Sequence, residues 1–226
     1  MRKAIKEARN DSFPAGCGLA NLRCMQSQPL IVTINGSPSA SSRTRRLLEH
    51  VTAKLAAAAV RTAAIQVRDL PAAALLHAQA GDAQIARAHE LLAQAGAVII
   101  GTPIYKAAYS GLLKAFLDLL PQDALAGKVV LPIATGGSAA HTLALDYALR
   151  PVLAALGARQ VLASVYAVEQ QVRWSEDSGL DLDPEIRARL RTGVGQLIDA
   201  VPAPVFAMPS APPTLRLLQA AAPQRC

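Results

Sequence analysis

The chain has 226 residues, 52% of them apolar but only 4% aromatic, with a formal charge of +7 at neutral pH. That size and apolar share suit one domain with a sizeable core, built mostly from Ala, Leu and Val. No run of 18 apolar residues occurs and no long basic run is interleaved with aromatics, so neither a membrane nor a nucleic acid is an expected partner.

Residues 1–28 lack the continuous apolar stretch of a secretion signal and read as a flexible extension with a short helical start. The folded body is expected over 29–201. Leu30 opens an apolar strand, a hydroxyl-rich loop follows, and a helix runs from Thr44 to about Ala58 with Leu47, Leu48, Val51 and Leu55 at helical spacing. Val60 to Val67 reads as a second strand, broken by Asp69-Leu70-Pro71, with a loop or short helical turn up to Gly81. Asp82 to Ala95 is a helix whose apolar face carries Ile85, Ala88 and Leu92. The continuous apolar run Ala97 to Gly101 has the character of a central parallel strand. Ser110 to Leu120 is a helix closed by Pro121, and Lys128 to Thr135 a fourth strand. His141 to Leu156 reads as one helix ended by Gly157. Arg159 to Ala167 is a fifth strand, and Asp183 to Val201 a last helix capped by Asp181 or Asp183. From Pro202 the Pro- and Ala-rich composition marks a tail over 202–226, whose Leu215, Leu217 and Leu218 could pack on a neighbouring subunit. Alternating strands and helices predict an α/β fold, a doubly wound five-stranded parallel sheet in the order 2-1-3-4-5. The three cysteines, Cys17, Cys24 and Cys226, fall outside that body. Their odd count and spacing match neither a disulfide framework nor a zinc site, which fits a reducing cytoplasm.

The first strand-to-helix loop, GSPSASSRT, is the most informative stretch. N–H groups of a helix's first turn lack intrahelical partners, and the helix dipole favours negative charge there. Ser37, Ser39, Ser41, Ser42 and Thr44 add hydroxyls, and Arg43 adds a planar charged fork suited to phosphate oxygens. No Gly-Lys-Ser/Thr closes the loop, so a nucleotide-triphosphatase P-loop is excluded. G-x-G-x-x-G is missing too, so the dinucleotide fingerprint fails. No cysteine is present to attack a phosphate. What remains is a seat that holds a monophosphate without attacking it, which suits FMN at the switch point of a flavodoxin-like sheet.

Two further loops converge on the same sheet edge. After strand three comes TPIYKAAYSG, where Pro103 fixes the turn, Tyr105 offers an aromatic face and Lys106 a charge. After strand four comes ATGGSAAH, where Gly136 and Gly137 let backbone approach a flat ring. Ser138, His141 and Asp146 are confined to one loop-helix segment with no G-x-S-x-G elbow, so a hydrolytic triad is not expected. His50, His77 and His89 are isolated and show no metal-ligand spacing. Trp174 is expected on the loop after strand five, covering a pocket or an interface.

With these segments the chain resembles the NADPH-dependent FMN reductases of flavodoxin-like fold, nearest to the reductase of the two-component alkanesulfonate monooxygenase. The resemblance rests on GSPSASSRT, TPIYKAAYSGLLKAFLDLLP, GKVVLPIATGGSAAH and LDYALRPVLAALGA and spans about Leu30 to Val201. It implies that Ser37, Ser39, Ser42, Arg43 and Thr44 hold the FMN phosphate, and that Pro103, Ile104, Tyr105 and Lys106, with Ser110 nearby, line the ring or ribityl side. It further implies that Thr135, Gly136 and Gly137 meet the ring's polar edge. NADPH is then the hydride donor to flavin N5, and no side-chain acid or base is required. Tyr147, one turn before Pro151, resembles a tyrosine in a π-helical bulge at a subunit interface, which implies a homo-oligomer, dimer or tetramer. The partner implied is a flavin-dependent monooxygenase of the alkanesulfonate type. An FMN-containing quinone or azo-compound reductase, and a flavodoxin-like electron carrier, are the alternatives.

Overall fold

The computed structural model describes residues 30–201. The N-terminal extension, the C-terminal tail and the three cysteines lie outside the described residues.

Strand β1 (Leu30–Asn35) is followed by helix α1 (Arg43–Ala57), β2 (Arg61–Gln66), a short α2 (Ala72–Leu76), α3 (Ala83–Ala93) and the long β3 (Ala95–Tyr105). A two-residue strand, β4 (Ala108–Tyr109), turns back on β3 before α4 (Gly111–Leu117) and β5 (Val129–Gly136). A π-helix (Leu145–Leu149) runs straight into α5 (Arg150–Ala155). Strands β6 (Gln160–Val161) and β7 (Val165–Val168) follow, then the hairpin β8 (Val172–Ser175) and β9 (Gly179–Leu182), and finally α6 (Pro184–Ala200).

The sheet runs β2-β1-β3-β5-β6, with β7 also paired to β5, and all of these pairings are parallel. Taking β5 as the fourth predicted strand and β6 with β7 as the fifth, this is the expected 2-1-3-4-5 order. Side chains alternate across it with the period of two that a pleated strand imposes. Ile31, Ile99, Leu131 and Ile133 join Leu47, Leu48, Val51 and Leu55 of α1 and Ile186, Leu190 and Leu197 of α6 in one cluster. Val32, Ile34, Val98, Ile100 and Val130 join Ile85, Leu92, Phe116, Leu149 and Leu153 in the other. Two apolar layers therefore sandwich the sheet, and its central strands are buried on both faces.

Four stretches depart from the sequence reading. Thr102 to Tyr105, expected as loop, extends β3, and Lys106 and Ala107, at φ 49° and 63°, make the tight turn into β4. The fifth strand is interrupted between Val161 and Val165. The single helix expected over 141–156 is a 3-10 turn (Ala139–His141), the π-helix and α5 in series. Pro151 supplies a reason. It has no N–H to offer the carbonyl one turn back, and Arg150 N–H bonds Leu145 O, five residues away, so the ladder widens just ahead of it. Trp174 lies on the β8–β9 hairpin rather than on a loop. The last helix is capped by Asp183, whose carboxylate accepts from Glu185 N–H, while Asp181 pairs with Arg173.

Candidate functional site

Parallel strands end together, so the registers Pro103↔Thr135, Thr135↔Ala167 and Gly136↔Val168 place the ends of β3, β5 and β7 side by side. The N-terminus of α1 closes the fourth side. Between them lies a cavity of about 470 Å³, lined by Ser39, Ser41, Ser42, Arg43, Thr44, Pro103, Ile104, Tyr105, Thr135, Gly136, Gly137 and Glu169. That volume is within the range of small-molecule sites, about 300–1,000 Å³.

The α1 terminus is prepared for an anion. Ser42 caps it, with extended backbone and its Oγ accepting from Arg45 N–H at 3.1 Å. Arg46 N–H bonds Ser42 O at 3.2 Å. The N–H groups of Arg43 and Thr44, ahead of the first intrahelical bond, are left for an acceptor from outside. The Thr44 hydroxyl, fully buried, shares a 2.6 Å hydrogen bond with the Thr135 hydroxyl and so ties the first junction to the third.

Arg43 points into this cavity with a partner that no sequence motif announced. Its Nη1 lies 3.2 Å from Glu169 Oε1, both side chains being about half exposed. Glu169 sits one residue past the end of β7, at the switch-side edge of the sheet. Position after the last parallel strand is the one signal that marks it in the sequence. The rest of the Arg43, Arg45, Arg46 cluster is also engaged: Arg45 Nε donates to Glu49 at 2.7 Å, and the Arg46 guanidinium stacks 3.5 Å above the Trp174 ring.

Other predicted residues take different places. Ser37 is buried beneath the loop, its N–H donating to Asn35 Oδ1 and its Oγ accepting from Ser39 N–H. It shapes the seat rather than lining it. Ser110 is likewise buried away from the cavity: its Oγ donates to Gly36 O and accepts from Leu113 N–H, capping α4. Lys106 borders an adjoining cavity of about 410 Å³ that shares Ile104, Tyr105 and Gly137 with the first.

The two glycines differ. A Cβ on Gly136 would overlap the Tyr166 ring and hydroxyl, whereas one on Gly137 would meet open space. Tyr166 OH donates to Ser138 O at 2.7 Å, and burial raises its pKa, so it stays a neutral donor. Gly136 is therefore required by a protein side chain, and only Gly137 leaves the close approach that a ligand ring needs. Tyr147 projects from the π-helix at 78% exposure and Leu143, just before it, at 57%. Ser138, His141 and Asp146 make no hydrogen bond to one another; Asp146 pairs with Arg150 instead. Among the described residues no cluster of His, Cys, Asp or Glu could hold a metal, and no helix is long and apolar enough to cross a membrane.

Set against known proteins, residues 29–173 match the family model described as NADPH-dependent FMN reductase. An FMN reductase (NADPH) of Pseudomonas putida KT2440 is 51% identical over 147 residues, covering 65% of this chain and 75% of its own. Its counterpart in Escherichia coli K12 is 47% identical over 142 residues, covering 63% and 74%. Among solved structures, the apo form of an NADH:FMN oxidoreductase (EMOB) superposes with a TM-score of 0.71 at 41% identity, covering 78% of this chain and 91% of that one. The matched span contains every lining residue of the cavity, and the chain belongs to the NADPH-dependent FMN reductase family of oxidoreductases.

Proposed function

We propose that this reductase hands reduced FMN to a separate flavin-dependent monooxygenase that acts on sulfonates, and that FMN occupies the cavity at the ends of β3, β5 and β7. One observation carries the placement: a single cavity joins an anion-ready helix terminus to an open glycine on the neighbouring strand end. The residues present suit FMN at both ends. Ser39, Ser42, Thr44 and Arg43 offer hydroxyl, amide and guanidinium donors to a phosphate. Ile104 and Tyr105 offer an apolar and aromatic wall, with Gly137 beside them for a flat ring. When bound, the flavin supplies the hydride-accepting chemistry, so the protein's own task is orientation and exclusion of water.

The sulfonate assignment is supported by the sequence resemblance to the alkanesulfonate reductase over GSPSASSRT and LDYALRPVL. The exposed Leu143 and Tyr147 support a homo-oligomer with the π-helix at its boundary, because adjacent large apolar side chains on a surface mark association sites. Purified protein should oxidise NADPH only when free FMN is added, and the product should sustain a sulfonate monooxygenase under oxygen. NADPH consumption indifferent to FMN would defeat this reading, and turnover of quinones without added flavin would replace it. Light scattering of wild type against Tyr147→Ser tests the boundary; an unchanged mass for both would remove Tyr147 from it.

A further inference from the structure

Among the described residues, the charged lining of the flavin cavity sums to zero: Arg43 is its one cation and Glu169 its one anion, and they are paired at 3.2 Å. A site built only to retain a phosphate has no use for a carboxylate in that position. We propose that Glu169 is an internal competitor for the flavin phosphate: it holds Arg43 when no phosphate is present and keeps bound FMN exchangeable. This rests on the placement of the phosphate at Arg43 argued above.

The surrounding structure keeps the carboxylate where it competes. Its backbone is fixed on one side by the Gly136↔Val168 pairing in the sheet. On the other side, Val168 N–H donates to Gln171 Oε1 at 3.0 Å, closing the 3-10 turn Glu169–Gln171. The chain then enters β8, whose Trp174 is covered by Arg46, one helical turn beyond Arg43 on α1. The segment from 169 to 174 is thus clasped to the first turns of α1 at two points, Glu169 on Arg43 and Trp174 under Arg46. A phosphate arriving at Arg43 breaks the first contact but leaves the second. Glu169 stays beside the seat as a like charge, so binding gives up an ion pair and meets a repulsion. For a reductase whose flavin must leave with its electrons, that opposition favours release.

Riboflavin, which lacks the phosphate, provides the discriminating readout. In Glu169→Gln, which keeps the side chain's size and half-exposed position, FMN should bind roughly threefold to tenfold tighter at low salt. Riboflavin affinity should be unchanged, so the ratio of the two dissociation constants moves. FMN release followed by stopped-flow fluorescence should slow by a similar factor, since interface changes act mostly on dissociation. Arg43→Ala is the companion: it should lower FMN affinity and leave riboflavin alone. An unchanged FMN-to-riboflavin ratio of dissociation constants in Glu169→Gln, with the ratio raised in Arg43→Ala, would overturn the competitor role alone. A ratio unmoved by Arg43→Ala would overturn the phosphate placement beneath it.

Discussion

Two junctions leave the same edge of the sheet and differ in kind. After β1 the chain makes a capped turn and then a regular helix of 15 residues. After β5 it makes a 3-10 turn, a π-helix and only then the six residues of α5. The first junction settles two of its helix-terminal donors on Ser42 and leaves two free, which is an arrangement for holding something charged. The second spends its irregularity on presenting side chains outward, Tyr147 above all. The first junction turns its free donors toward the cavity, while the second lends Thr135, Gly136 and Gly137 to the lining and then turns its irregular stretch outward, although both occupy equivalent places in the same topology. The lesson is that switch-side loops are not interchangeable donors to a single site.

If that division is right, the first junction should be the more sensitive in flavin binding. Arg43→Ala is expected to weaken FMN binding by about 1.5–3 kcal/mol, the range for hydrogen bonds to charged groups, as read by flavin fluorescence titration. Equal affinities would break the comparison at its first term. Gly136→Ala tests the second junction: the added methyl displaces Tyr166 from its bond to Ser138 O and should destabilise the fold by about 1–3 kcal/mol. Gly137→Ala, with open space around it, should leave the thermal midpoint of the flavin-free protein unchanged, and it should weaken flavin binding if the ring passes there. Matching effects of the two glycine substitutions on stability would show that Tyr166 does not constrain the turn. Ser42→Ala removes the α1 cap and should cost about 0.5–2 kcal/mol in denaturant unfolding, with a smaller loss of FMN affinity.

The fold was legible because its signals are local and repeated. Leu47, Leu48, Val51 and Leu55 recur at helical spacing and are all buried, and the apolar runs of β1, β3 and β5 stand as central strands. The hydroxyl-rich loop was legible for the same reason, since capping and anion binding call for the same residue types. Four features were less legible. The extension of β3 through Thr102 to Tyr105 passes over Pro103, which reads as a strand end; its ladder partner there is β5 on one side only until β4 returns. The π-helix has no composition of its own, since LALDYALRPVL fits a 3.6-residue period as well as a wider one; it was legible through the family resemblance at Tyr147, which lies within Leu145–Leu149. Ser110 was placed at the flavin by resemblance, yet its hydroxyl is consumed in capping α4. Glu169 is the clearest case. Its residue type in VYAVEQQ is that of a solvated surface acid; its place after the last parallel strand is the one hint, and the pairing of β7 with β5 brings it to Arg43.

The smallest effect is a pH dependence of stability at the middle of the regular helix. His50 lies on α1, two turns beyond the seat, and its pKa is lowered from 6.5 first by burial and then by the charges of Lys54 and Arg187. His89, on α3 across the sheet, is lowered by burial, and its Nε2 has no hydrogen-bond partner among the described residues. For both, the unfolded chain takes up a proton before the folded protein does. Stability therefore rises with pH through this range, is fully present above about 6.5, and declines as acidification proceeds toward the lower folded values. Both rings are partly exposed, so solvent screening keeps the slope modest. Urea midpoints measured from pH 7.5 down to 5.5 should fall, and His50→Gln should flatten part of that fall while leaving FMN affinity at pH 7.5 unchanged. If His50→Gln altered flavin binding instead, α1 would be transmitting strain from its middle to its N-terminus. The inward junction could then no longer be treated as a rigid seat separate from the helix that carries it.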